Sequence, residues 1–263
     1  MEPRLRVFLC CVVMTFLCGR GTGTSSTTGT KFSLKTGVRV TSAANQIRQI
    51  TRTVTQGNWT LLFRAQAGIN EPVYLTYINT SVQHDNPVPL DFPTACLRMS
   101  DYGACDRHFR SHILDNFVGI DQVRLSLIKS DTEVAYVVFD AVGASFQAWF
   151  SPSRIVESTW MPDVPNESYH RPTLRGDCPS TTVCRRFYLF GPHTGCRSEW
   201  LYTMTLDSAS DLCLDLTAEY AGLKLNYPMF FYSATSGRAA LSINPSYPTA
   251  QTADVLALWV KYV

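Results

Sequence analysis

Past its first 18 residues the chain has no apolar run long enough to cross a bilayer, which takes about 20 residues. It also lacks an excess of either charge once the N-terminus is set aside. Of 23 Lys+Arg and 21 Asp+Glu, Arg4, Arg6, Arg20 and Glu2 lie before residue 24, so 23 less 3 and 21 less 1 leave 20 of each. A neutral domain has no overall electrostatic reason to seek nucleic acid or an anionic membrane. Internal repeats, a second linker and long charge blocks are missing, which excludes solenoids and arrays. No G-x-S-x-G elbow, reactive-cysteine signature or glycine-rich phosphate loop occurs. Asp163, Asp207, Asp211 and Asp215 do not have the spacing of a calcium loop. No catalytic residue, cofactor or metal-ligand set is assigned, although a triad drawn from distant positions leaves no local signature.

The residues that are present point to export. Arg4 and Arg6 precede the apolar stretch Val7 to Cys18, and the small residues Gly19, Gly21 and Gly23 follow. A basic start, a short apolar core and small residues make a cleavable signal peptide, read here as residues 1–23 and cut between Cys18 and Thr24. Residues 24–35 open with Ser, Thr and Gly and read as a flexible leader. Residues 36–263 then form one domain, released rather than anchored, since Val255 to Val263 is short and broken by Lys261.

Six of the 9 cysteines lie outside the signal segment: Cys96, Cys105, Cys178, Cys184, Cys196 and Cys213. An even set in an exported chain reads as disulfides. Many pairings are open, with the short Cys96–Cys105 closure favoured. A zinc site is disfavoured because there is no C-x-x-C pair. Three sequons, at Asn58, Asn79 and Asn166, are candidate glycosylation sites, whereas Asn244-Pro245-Ser246 is blocked by its proline.

The periodicity is mostly two. Trp200, Tyr202, Met204 and Leu206 alternate with Leu201, Thr203 and Thr205, as in a half-buried strand. Val123–Ile128 and Val134–Phe139 flank the polar stretch Lys129 to Glu133 and read as a hairpin. Trp59–Arg64, Phe187–Phe190, Met229–Tyr232 and Val255–Tyr262 supply further strands, the first and last of them read as neighbours. Phe109, Ile113, Phe117 and Ile120 recur at helical spacing, with Asp106 as N-cap, so Asp106 to Ile120 is expected to be one short helix. Asp211 to Leu225 is ambiguous between helix and strand. The fold class is all-β: a two-sheet sandwich of jelly-roll type with one short helix, stabilised by disulfides.

Three features invite a functional reading. His108 and His112 would share a helix face and could hold a metal, but no third ligand stands near them, and an ordinary structural role is the better reading. Arg175-Gly176-Asp177, just before Cys178, resembles the integrin-recognition tripeptide of adhesion proteins. Trp149, Trp160 and Trp200 could stack on sugars, although core filling is the better reading of each.

The short motifs Trp59 to Arg64, His108 to Ile113, Trp149-Phe150-Ser151-Pro152, Arg185-Arg186-Phe187, Gly195-Cys196 with Trp200-Leu201, and Ala253 to Ala257 together resemble a secreted, cysteine-containing β domain of marine invertebrates such as molluscs and corals. The resemblance spans Trp59 to Val263. It implies an extracellular or matrix protein and transfers no catalytic residue. The function expected is that of a secreted, non-catalytic glycoprotein of the extracellular matrix or of adhesion, with an extracellular protein or glycan as partner. The alternatives are a lectin-like defence protein and a secreted toxin or hydrolase.

Overall fold

A computed structural model describes residues 32–38, 50–164, 174–176, 185–190, 200–207, 226–241 and 248–263. The signal segment, Asn166, Asp177, Asp211 to Leu225 and the four cysteines after Cys105 lie outside the described residues. Among the described residues the regular structure is thirteen strands, one α-helix and three 3-10 turns. The strands are β1 (Phe32–Val38), β2 (Ile50–Gln56), β3 (Trp59–Gln66), β4 (Phe109–Arg110), β5 (Ile120–Lys129), β6 (Thr132–Asp140) and β7 (Ile155–Ser158), followed by β8 (Arg185–Phe190), β9 (Trp200–Leu206), β10 (Met229–Tyr232), β11 (Ala239–Ala240), β12 (Gln251–Ala253) and β13 (Val255–Tyr262). The helix α1 is Val73–Ile78.

The strands form two antiparallel sheets, as the alternating sequence predicts. The larger has the order β1-β2-β3-β13-β5-β6-β7, with β4 added beside β3. The smaller has the order β11-β9-β10-β12, with β8 beside β9. Trp59–Arg64 and the final strand are indeed neighbours: Leu258 pairs with Phe63 and Leu256 with Ala65. The predicted hairpin is β5–β6, closed by Ser130 and Asp131 at φ 47° and 65°. Positive φ at both turn residues matches the right-handed twist of the flanking strands. In the larger sheet β1-β2-β3 and β5-β6-β7 run as meanders, whereas a jelly roll carries successive strands from one sheet to the other.

Strand β13 shows why the sheets stack. Leu256, Leu258 and Val260 face the main core with Leu62, Val123, Leu125, Phe139, Phe187, Tyr202 and Phe230, which come from both sheets. Val255, Ala257 and Trp259 face the other way, onto Phe92, Cys96, Leu97, Met99, Cys105 and Phe109. Residues alternate across a strand, so an unbroken apolar run needs cover on both faces. Complete burial of each large side chain here contributes about 1.5–3 kcal/mol.

The second cover is a loop segment, and the Cys96–Cys105 disulfide lies within it. Strand β10 repeats the arrangement in the smaller sheet, with Phe230 and Tyr232 on the main core and Met229 and Phe231 on a separate apolar cluster. That cluster corrects the reading of β9. All seven of its residues are buried: Thr203 and Thr205 pair with Tyr232 and Phe230 of the main core, while Met204 and Leu206 join the separate cluster with Tyr188, Tyr227 and Ala239.

Two further corrections concern local structure. Asp106 to Ile120 is not a helix: it holds strand β4 and a 3-10 turn at His112–Asp115 before entering β5. Phe109 packs outward in the loop-covered cluster while Leu114 and Ile120 pack in the main core, so the helical spacing serves two different surfaces. The helix lies instead at α1, which buries Val73, Thr76 and Tyr77. At the N-terminal side, one compact unit runs from Lys31 to Val263, and β1 takes in Phe32 to Lys35, which composition alone assigns to the leader. No helix among the described residues is long and apolar enough to cross a membrane.

Candidate functional site

Among the described residues, Glu71, Leu75, Thr76, Asn79, Val82, His84, Arg107 and His108 line a cleft of about 390 Å³. Its wall begins where β3 gives way to α1. Asp207, at the end of β9, accepts the N–H of Val73 at 2.9 Å and of Tyr74 at 3.2 Å, and so fixes the first turn of the helix. Burial raises the Asp207 carboxyl above the usual range, opposed by these two N–H groups and by Arg186.

Glu71 stands just before this turn. Its Oε1 accepts the Thr76 hydroxyl at 2.7 Å, and its Oε2 accepts the His108 backbone N–H at 3.2 Å. The carboxylate is therefore fixed in position but keeps lone pairs free for a ligand, since each oxygen has two.

His84 forms the opposite wall. Its Nδ1 accepts the Arg110 backbone N–H at 3.0 Å, which places the ring proton on Nε2. The ring stacks on Phe92 with centroids 4.5 Å apart. Burial lowers its pKa, against the pull of Glu71 and Asp85, so the ring is neutral near pH 7 and presents an N–H donor. Arg107 lies at the rim and bonds Asp106 at 2.9 Å and Asp91 at 3.2 Å.

His108 and His112 are not brought together. His108 is fully buried. Its Nδ1 accepts from the Gln66 backbone N–H at 3.1 Å, and its Nε2 lies 2.9 Å from the Glu71 carbonyl, to which it donates. Both ring nitrogens are used, and burial holds the imidazole below its ordinary pKa. His112 sits on the 3-10 turn with Nδ1 3.0 Å from Asp85 Oδ2, but out of line for a hydrogen bond. No cluster of three or more metal-binding side chains occurs among the described residues.

Ser111, His112 and Asp85 have the composition of a catalytic triad but a different wiring. The Ser111 hydroxyl donates to Asp85 at 2.5 Å, accepts the Ile113 N–H at 3.1 Å, and is fully buried. Asp85 also accepts the His112 N–H at 2.8 Å. A nucleophile needs the imidazole as its base; here the serine caps a turn.

Of the adhesion tripeptide, Arg175 is exposed and its carbonyl accepts from the Arg186 guanidinium. Gly176 has φ +81°, and a Cβ there would stand 1.5 Å from the Arg185 carbonyl, so only glycine fits against β8. Asn58 and Asn79 are both exposed, Asn58 in the turn between β2 and β3 and Asn79 at the end of α1. Trp149 and Trp160 are fully buried and Trp200 nearly so, as core filling requires.

The cleft itself escaped the sequence reading. Its only local signal is an acidic residue before a proline at a helix start, Glu71-Pro72. His84 is 13 residues further along the chain and Arg107 lies 36 beyond Glu71, brought near by β4. Comparisons with protein-family models, with curated proteins and with solved structures return no match.

Proposed function

We propose that the protein is exported and acts as a non-catalytic extracellular component of matrix or adhesion, with an extracellular protein or glycan as partner. The observation that carries this reading is the Cys96–Cys105 disulfide, buried within the apolar cluster that covers β13. A disulfide built into a core belongs to a chain that folds under oxidising conditions. The exposed sequon residues Asn58 and Asn79 and the resemblance to secreted invertebrate domains support the same reading.

For adhesion, the support is an exposed Arg175 on a turn whose glycine is fitted against β8. Cells bearing integrins should attach to the immobilised protein, and Asp177→Glu should abolish attachment while leaving the melting temperature unchanged. Equal attachment by both proteins discards the adhesion reading. A second reading, glycan recognition, is favoured by the Glu71–His84 cleft, in which a backbone N–H fixes each of Glu71 and His84 and neither binds the other.

A further inference from the structure

We infer that the cleft between α1 and β4 is a binding site for a neutral saccharide, with Glu71 as hydrogen-bond acceptor, His84 as donor and Leu75 as the apolar contact. The inference rests on the glycan-recognition reading and gives it a location and a ligand chemistry.

The charges select the class. An anion would meet the Glu71 carboxylate, and Arg107, the nearest cation, already bonds Asp91 and Asp106. A metal ion would need more donors, and His108 has committed both ring nitrogens to backbone partners. A cationic ligand would face Arg107 at the rim.

A neutral polyol meets none of these obstacles. Its hydroxyls donate to the spare lone pairs of Glu71 and accept from the Nε2–H of His84, which the Arg110 contact at Nδ1 leaves as the ring's free polar atom. Leu75 is 58% exposed at the cleft despite its size, which leaves an apolar side chain for the C–H face of a sugar ring. The volume, about 390 Å³, falls in the range of roughly 300–1,000 Å³ typical of small-ligand sites.

Asn79 adds a second, independent feature. It is exposed, carries the sequon Asn79-Thr80-Ser81, and lines the same cleft. A glycan attached there starts at the lip of the site, so the chain can carry its own occupant. The ligand chemistry is the same whether the sugar is free or attached.

The test is isothermal titration with glucose, galactose, mannose and N-acetylglucosamine at millimolar concentration. It is run on the exported wild-type protein and on Ser81→Ala, which loses the sequon but keeps the backbone N–H that bonds Asn79 Oδ1 at 3.0 Å. Binding in both forms supports a site open to free sugar. Binding only in Ser81→Ala supports the Asn79 glycan as the resident ligand.

Glu71→Gln and His84→Asn should each weaken binding about tenfold, the loss of one hydrogen bond that involves a charged or fixed group. Asn at position 84 keeps an acceptor for the Arg110 N–H, and its shorter amide does not carry a donor to the place of the His84 Nε2–H. Leu75→Ala, at an exposed position that threatens no packing, should weaken it several-fold. Sugar binding that survives all three substitutions overturns the cleft and leaves glycan recognition to another surface. No binding of any sugar to either form overturns both.

Discussion

His84 and His108 each turn Nδ1 toward a backbone N–H, and burial lowers the basicity of both. The denatured chain regains ordinary imidazoles near pKa 6.5 and takes up protons that the folded chain refuses. Stability from these groups is therefore complete above about pH 6.5 and is lost progressively as the pH falls below it. Asp207 acts with the opposite sign, because burial raises its carboxyl and the folded state binds that proton more tightly. Glu71 and Arg64 face His108 from β3 and its following turn, Glu71 favouring the charged ring and Arg64 opposing it. The clean measurement is a difference. Urea midpoints between pH 7.5 and 5 should fall more steeply for the wild type than for His108→Gln. Parallel slopes would remove His108 from the acid response. In the same region Arg64 is fully buried and donates to the Arg98 carbonyl at 2.8 Å, to Gln66 Oε1 at 2.8 Å and to Cys105 Sγ at 3.0 Å. Burial brings its guanidinium down to about 10.

At the scale of elements, the segment from Asp106 to Ile120 is held by one arginine. Arg110 on β4 is fully buried and grips Asp115 with two bonds, at 2.7 and 3.0 Å, while also donating to the Tyr77 and Val82 carbonyls. The strand, the 3-10 turn and α1 are thereby tied to one guanidinium. Asp115→Asn removes the counter-charge from a buried cation, which should cost about 2–3 kcal/mol, the partial exposure of Asp115 lowering the figure. Chemical denaturation reads this directly, and a change under about 0.5 kcal/mol would mean that the carbonyls alone hold the charge. The strands were legible because period-two alternation and apolar runs depend on local sequence alone: β3, β5, β6, β9, β10 and β13 all fall where the pattern places them. The Asp106–Ile120 helix was misread because apolar residues serving two surfaces mimic a single helical face. Helix α1 has six residues, too few to show a periodicity, and its first turn is capped by Asp207 from a distant strand.

At the scale of the whole molecule, Asp254 joins the two sheets. It separates β12 from β13, where the chain passes from the smaller sheet to the larger. Its carboxylate accepts the Tyr102 hydroxyl at 2.6 Å and the Ser130 N–H at 2.9 Å, and its carbonyl accepts the Ala67 N–H at 2.9 Å. Tyr102 belongs to the loop closed by the Cys96–Cys105 disulfide, so the loop cover, the β5–β6 turn and the sheet crossing share one side chain. None of this could be read from sequence, because each contact joins residues more than 100 positions apart. The Glu71–His84 cleft was hidden because its residues, spread over positions 71 to 108, form no local pattern. The disulfide was legible as a short loop between two cysteines. Export is an expectation from the N-terminal pattern and the cysteine count, and a buried disulfide is consistent with it.

The central claim, that this is an extracellular component of matrix or adhesion, is tested most directly by fractionating the source tissue with an antibody to the mature domain. The account predicts protein that starts between residues 19 and 24, lacks free thiols and stays in insoluble extracellular material until strong denaturant is added. Protein recovered inside cells with Met1 and reduced cysteines would contradict export, and freely soluble protein in body fluid would contradict the matrix role.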